Sequence, residues 1–348
     1  MKSNIEFLYC IVGLGSIGKY HAETYSKLPG KFLFIDPDEN ASEWAKKFIK
    51  QDYKFYKNIM DSQTYISSID LPKIGIISNW GNQHYSSLID LKNLGFKKFL
   101  IEKPIASSLQ QIDHLLKMVK NEKIQFVAGF GWRHSGLPEK IKEISSLYLG
   151  GNPQLISMTG GAFGTVTNGI HFLDLAISIF DSNPQFVFSN LKSDKINPRS
   201  KNLDFWNGVS SWSFPNDKNL IISSSNKSSI ASSIEIICAK GKIIIDNKMS
   251  VSVYKRDTSE IENDPRVTRL GPTFKQKDLG YIPDYSKANN RLINPLINGT
   301  EDISINEERE IMATKSMIYA LISSSLGRKI DITEKIENKY YNKEWKIS

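Results

Sequence analysis

The sequence predicts a doubly wound α/β domain over residues 1–130, followed by an α+β domain over residues 131–348 with a mainly antiparallel sheet. Three observations predict it. Short apolar runs alternate with helical segments as far as Phe130, a glycine triplet falls between the first run and the first helix, and beyond Gly131 the texture changes to many short strands.

Phe7–Val12 is a short apolar run ending in glycines, the pattern of a strand buried in a parallel sheet. Ser16–Leu28 reads as a helix stopped by Pro29-Gly30, and Phe32–Ile35 as a second strand closed by Asp36-Pro37. Glu39–Ile49 is helical, with Trp44, Ala45 and Phe48 at spacings that share a face. Ile74–Ser78 is a third strand, His84–Leu94 a helix ended by Gly95, and Phe99–Ile101 a fourth strand. Ser108–Lys120 is helical, and Phe126–Phe130 closes the series as a strand. Such alternation with short connections calls for a parallel sheet with right-handed crossovers.

Beyond Gly131 the pattern gives one clear helix, Gly169–Phe180, and a series of strands. These are Leu155–Thr159, Phe186–Leu191, Val209–Phe214, Leu220–Ser225, Ile234–Ala239, Lys242–Asp246 and Ser250–Tyr254, separated by turn signals such as Asn183-Pro184 and Lys240-Gly241-Lys242. Glu307–Leu326 is a last long helix with Gly327 as its stop. This closing helix and the strand after it are able to pack back toward the first domain.

Composition bounds the function. With 348 residues, 40% hydrophobic and 24% charged, the chain fits two soluble globular domains. A net charge of +8 comes from lysines spread among acidic residues and asparagines, which suits weak attraction for anionic small molecules. No basic stripe or recognition motif accompanies it, so nucleic acid is not an expected partner. Cys10 and Cys238 sit inside apolar runs and read as buried reduced thiols; no metal-ligand spacing is present, and no metal is expected. Apolar runs are all shorter than the roughly 18 residues of a membrane span. Met1–Glu6 lacks the order of a signal peptide, and the chain reads as cytoplasmic.

Gly13-Leu14-Gly15-Ser16-Ile17-Gly18 is a G-x-G-x-x-G between a predicted strand and a predicted helix. The first glycine permits the tight turn, the second lets backbone approach a pyrophosphate, and the third lets helix pack on strand. The helix N-terminus offers free N–H groups and partial positive charge to the phosphates. Asp36 ends the second strand eighteen positions after Gly18, where a carboxylate can accept from ribose hydroxyls and repel a 2′-phosphate. Asp38 and Glu39 add to that repulsion with no arginine following, so NAD is expected in preference to NADP. The domain is therefore a Rossmann dinucleotide-binding domain.

Glu102-Lys103-Pro104 at the end of the fourth strand makes the pattern specific. Together with Gly13–Gly18 followed by Lys19-Tyr20-His21, and with Asn79-Trp80-Gly81-Asn82-Gln83-His84 after the third strand, it resembles the glucose–fructose oxidoreductase/inositol dehydrogenase family, Gfo/Idh/MocA. Glu307–Ile332 is similar to the family's closing helix and strand. The resemblance implies an open-faced sheet in the second domain, an active site in the cleft between the domains, and homo-oligomers, dimers or tetramers, built through the sheet face. It implies cofactor contacts from Gly13, Gly15, Ser16, Ile17, Gly18, Asp36, Asn79, Trp80, His84, Glu102, Lys103 and Pro104. Lys103 then lies beside the nicotinamide ribose and the reacting hydroxyl, often after re-aiming by a cis bond before the proline.

The family's second signature is Asp, three residues, then His at a helix start. Here it matches Thr167-Asn168-Gly169-Ile170-His171, with Asp174 one helical turn further on. His171, kept neutral in the first turn of a helix, is the candidate general base. The family aspartate is Thr167 in this chain. Thr167 or Asn168 can cap the helix, but neither supplies negative charge beside His171. Arg133 and His134 either meet an anionic group of the substrate or form a solvated loop. Trp206, Trp212 and Tyr281 are read as core or interface aromatics.

The expected function is an NAD-dependent oxidoreductase acting on a secondary alcohol of a sugar, inositol, sugar acid or nucleotide-sugar, with Lys103 and His171 catalytic and Thr167, Arg133 and Asp174 near the substrate. The alternative is a non-catalytic NAD(H)- or sugar-binding sensor of the same fold, which Thr167 keeps open.

Overall fold

The computed structural model describes residues 6–194, 197, 200–256, 273–298 and 306–347. The reading of Met1–Glu6 as no signal peptide falls, up to residue 5, outside the described residues. The chain forms two compact units, the first of Met1–Phe130, Asn289–Thr314 and Glu337–Ser348, the second of Gly131–Ala288 and Lys315–Ile336.

In the first unit β1 (Phe7–Val12), α1 (Ser16–Tyr25), β2 (Gly30–Ile35), α2 (Glu39–Phe48), β3 (Tyr53–Tyr56), α3 (Gln63–Ser67), β4 (Lys73–Ile77), α4 (His84–Asn93), β5 (Lys98–Ile101), α5 (Leu109–Glu122) and β6 (Gln125–Ala128) follow one another. The strands run parallel in the order β3-β2-β1-β4-β5-β6. The order reverses between β1 and β4, and ligands of such sheets bind outside the carboxyl ends of the strands at that point. Every residue of β1 is buried, as an apolar run covered on both faces requires. On α1 the buried positions Gly18, His21, Ala22 and Tyr25 recur at helical spacing. Ser108 caps α5 by accepting from the Gln111 N–H at 3.2 Å. Trp44 and Phe48, expected on a shared face with Ala45, stack on one another, but burial divides the helix differently: Ala41 and Ala45 are buried and Phe48 is exposed.

The second unit begins with α6 (Gly131–His134), α7 (Leu137–Tyr148), β7 (Leu155–Gly160) and α8 (Gly169–Phe180). It continues through β8 (Phe186–Asp194), β9 (Phe205–Ser213), β10 (Asn219–Ser224), β11 (Ser233–Cys238), β12 (Gly241–Ile245), β13 (Ser250–Arg256) and β14 (Thr273–Tyr281). The chain closes with α9 (Tyr285–Asn298), α10 (Glu307–Leu326), β15 (Ile330–Asp331) and α11 (Asn338–Tyr341). The expectation of one clear helix ahead of the closing one is corrected by α7 and α9. Pro138 opens α7, where its missing N–H costs nothing, and Leu137, Ile141 and Ile144 form its buried stripe.

The sheet order is β14-β13-β12-β11-β7-β10-β9-β8-β15. Its pairs are antiparallel except β7 with β10. One register row, Val187, Trp212, Leu220, Ile156, Ile236, Ile243 and Val253, crosses seven strands and is buried throughout. Trp212 is thus a core residue, its indole N–H donating to the Ser316 carbonyl at 3.4 Å. The helix α8 is buried along its length except at His171, which is half-buried. Cys10 and Cys238 are buried and free, burial pushing both thiols up.

Candidate active site

The turn after β1 is built by its glycines in different ways. Gly13 has φ +87°, and a Cβ there would come 2.5 Å from the Asn79 backbone. A Cβ on Gly18 would lie 1.8 Å from the Gly13 carbonyl oxygen, so α1 packs on the turn only without one. At Gly15 a Cβ would meet nothing within 4 Å. Gly15, Ser16 and Ile17 are exposed at the first turn of α1, and no side chain caps that helix. Its first N–H groups have no partner within the helix. A concave backbone turn, orphan helix donors and open space at the second glycine fit a dinucleotide pyrophosphate.

Asp36, at the end of β2, faces this turn. Its Oδ2 accepts from the Leu14 N–H at 2.6 Å and its Oδ1 from the Asp38 N–H at 2.8 Å. The carboxylate is fixed beside the turn by the backbone, leaving further lone pairs for hydroxyl donors. The Asn79–His84 segment borders the same turn from the end of β4. Asn79 donates from Nδ2 to Ser87 at 2.9 Å, while its Oδ1 is buried without a hydrogen-bond partner among the described residues. Trp80 is 44% exposed. An unsatisfied acceptor and an exposed indole beside the glycine turn are features that a polar, ring-bearing ligand would complete.

Lys103 follows β5, and the Lys103–Pro104 peptide bond is cis, as the resemblance implies. Lys103 is half-buried. The Glu102 carboxylate lies against the buried His21, Oε1 to Nε2 2.9 Å, and packs over Gly129. His84 is buried, with Nδ1 2.7 Å from the Pro104 carbonyl oxygen and Nε2 3.0 Å from that of Asn79. Burial holds its imidazole below the ordinary value, against the opposing pull of the two carbonyls and Glu102.

In the second unit His171 occupies the first turn of α8. The Trp132 ring lies 5.5 Å from it and 4.9 Å edge-on from Phe172. Thr167 is buried just before the helix. Asn168 stands at the cap position without a side-chain capping bond, its Nδ2 donating back to the Phe163 carbonyl instead. Arg133 and Asp174 form a buried ion pair. Arg133 Nε donates to both carboxylate oxygens at 3.0 and 3.2 Å, and Nη2 donates to Oδ1.

Residues 7–130 match the oxidoreductase family with the NAD-binding Rossmann fold, GFO_IDH_MocA. Over residues 7–130, the Rossmann domain, the chain matches the Gfo/Idh/MocA family. The uncharacterized oxidoreductase YrbE of Bacillus subtilis is 25% identical over 268 residues, covering 70% of this chain and 74% of that protein. The myo-inositol 2-dehydrogenase of Thermotoga maritima is 24% identical over 267 residues, covering 71% and 77%. Along 94% of this chain the fold matches an oxidoreductase from Agrobacterium radiobacter solved with NAD+, L-tartaric acid and magnesium, at TM-score 0.68 and 14% identity over 98% of that chain.

The Rossmann domain brings the glycine turn, Asp36 and the Asn79–Trp80 segment together, and links Glu102 and Pro104 to buried histidines. Arg133 and Asp174 pair with each other in the second unit. What sequence reasoning missed is the partner of Glu102: Lys19-Tyr20-His21 stands out as a pattern, yet its histidine meets a carboxylate 81 positions away. Among the described residues no group of three or more His, Cys, Asp or Glu side chains is arranged to hold a metal ion, and no helix is long and apolar enough to cross a membrane.

Proposed function

We propose that this chain is an NAD-dependent oxidoreductase acting on a secondary alcohol of a sugar, inositol, sugar acid or nucleotide-sugar, with NAD preferred over NADP. The observation that carries the reading is the glycine turn, open at Gly15 and faced by the Asp36 carboxylate, on a sheet that also ends in Glu102-Lys103-Pro104. The turn N–H groups hold the pyrophosphate, Asp36 accepts from the ribose hydroxyls, and Asn79 and Trp80 border the bound dinucleotide. When bound, NAD supplies the hydride acceptor of the reaction.

The proton chemistry belongs to the chain. Lys103 orients and polarises the substrate hydroxyl, and His171 takes its proton as general base. These are the roles the resemblance implies. Half-burial leaves His171 reachable, with the Trp132 ring 5.5 Å away. The myo-inositol 2-dehydrogenase relative supports a polyol or sugar substrate. Soluble homo-oligomers formed through the second unit's sheet, in the cytoplasm, complete the proposal.

The test is titration with NAD and NADP, followed by absorbance at the reduced-nicotinamide band as sugars, inositols, sugar acids and nucleotide-sugars are added. NAD reduction by one class, lost in Lys103→Ala and His171→Ala, is the expected result. Asp36→Ser should weaken NAD and narrow its margin over NADP. NAD binding with no turnover of any class would favour a sensor, the reading that the uncharged, buried Thr167 supports. No NAD binding at all would overturn the dehydrogenase reading.

A further inference from the structure

We infer that Lys103 is held in place by a two-histidine clamp, His21 gripping the preceding Glu102 through its carboxylate and His84 gripping the following Pro104 through its carbonyl. The inference rests on the proposed role of Lys103 for its catalytic consequence, but the clamp is a property of the first unit alone.

Four contacts fix the backbone on both sides of the lysine. The Glu102 N–H donates to the Ile77 carbonyl at 2.8 Å, tying the loop to β4. The Glu102 Oε1 lies 2.9 Å from His21 Nε2, and a Cβ on Gly129 would come within 2.5 Å of the same oxygen, so the carboxylate reaches His21 through space that only a glycine leaves. The Pro104 carbonyl lies 2.7 Å from His84 Nδ1. Beyond it the Ile105 N–H donates to Thr314 Oγ1 at 3.3 Å.

Neither histidine is placed to touch a ligand. His21 is 2% exposed and stacked on Tyr25 with ring centroids 5.4 Å apart; His84 is 1% exposed with both ring nitrogens against carbonyls. Each comes from a different βα unit, His21 from α1 and His84 from α4. A donor on a short, rigid ring buried in each unit therefore grips the tripeptide from both ends, and the Lys103 stem starts from a fixed root. The other ring nitrogen of His84 packs against the Asn79 carbonyl at 3.0 Å, which sets the lysine loop beside the segment bordering the glycine turn; a neutral ring donates to only one of the two carbonyls. Misplacing a reacting group by about 1 Å costs on the order of a hundredfold in rate, so such anchoring has a catalytic use. His21 and His84 are positioning residues.

The test is competitive acetylation of the full chain by acetic anhydride, with labelling of Lys103 read by mass spectrometry against the other lysines. It is run on the wild type, His84→Leu, His84→Asn and Gly129→Ala, with NAD affinity and thermal melting measured alongside. His84→Leu removes the grip on Pro104, and Gly129→Ala pushes the Glu102 carboxylate off His21 without changing either histidine. His84→Asn keeps an amide donor near the Nδ1 position. Labelling of Lys103 should rise several-fold in His84→Leu and Gly129→Ala, with the other lysines unchanged, and return toward wild type in His84→Asn. Where a substrate is in hand, kcat should fall in the first two variants, and in Gly129→Ala with the KM for NAD little changed. Wild-type labelling of Lys103 in folded Gly129→Ala and in folded His84→Leu overturns the clamp. Full activity in Lys103→Ala would instead sink the catalytic reading and leave the labelling result standing.

Discussion

The glycine turn shows how three identical residues carry three different duties, and the duties separate by experiment. At Gly18 a methyl group would sit 1.8 Å from the Gly13 carbonyl oxygen, inside backbone that cannot move aside. Gly18→Ala should therefore lose about 3 kcal/mol of stability. At Gly15 the same methyl meets open space, and the residue has φ −65°, which alanine adopts freely. Gly15→Ala should melt within about 1 kcal/mol of the wild type. Its methyl does, however, occupy the surface where a pyrophosphate nears the backbone, so its Kd for NAD should rise about tenfold or more. Thermal melts and a fluorescence titration with NAD check both halves. A stable Gly18→Ala, or a Gly15→Ala that binds NAD as the wild type does, would contradict the assignment of duties. These duties were legible from spacing alone, because turn, approach and packing each demand a glycine at a set offset from the strand. The His21–Glu102 contact was not legible, because nothing local in Lys19-Tyr20-His21 announces a partner in another loop.

At the scale of elements, legibility followed apolar density. β1 and α8 are apolar along nearly their whole lengths and stand out from the sequence. β3 is only four residues long and nowhere fully buried, and α9 carries Pro295 within the helix, so neither stands out from the sequence. Tertiary packing supplies what they lack. In α9 Ala288, Leu292, Ile293 and Leu296 are all buried. The short α6 is another such case, since four residues nucleate no helix in isolation. It is pinned to α8 by the Arg133–Asp174 pair, whose side chains are 6% and 2% exposed. Removing one partner strands a buried charge, so Asp174→Ala should lose about 3–5 kcal/mol. The Arg133→Met, Asp174→Ala double variant should lose less than the sum of the singles, because the stranded charge is gone. Because Trp132 precedes Arg133 and packs beside His171, the same variants should lower turnover more than NAD affinity. Additive losses in urea melts of the four proteins would show that the pair is not the fastening of α6.

For the molecule as a whole, the change of texture after Gly131 announces a second kind of sheet, and the register of that sheet carries an argument about assembly. The row facing the helices is buried across seven strands, from Val187 to Val253. The adjacent row, Phe188, Ser211, Ile221, Ser157, Glu235 and Ile244, points the other way, as the period of two requires. On that outward face Phe188 is 49%, Val209 47% and Ile237 38% exposed. Apolar side chains interleaved with serines over a broad, regular surface match the composition of an interface more than that of a solvated face. A second copy of the chain, seated face to face, is the occupant proposed for it. The wild type is thus expected to sediment as a dimer or tetramer at micromolar concentration. Val209→Glu combined with Ile221→Arg, which puts charge at the centre of the face without touching the buried row, should shift it toward monomer with circular dichroism unchanged. A monomeric wild type, or an oligomer indifferent to both charges, would move the interface elsewhere on the chain.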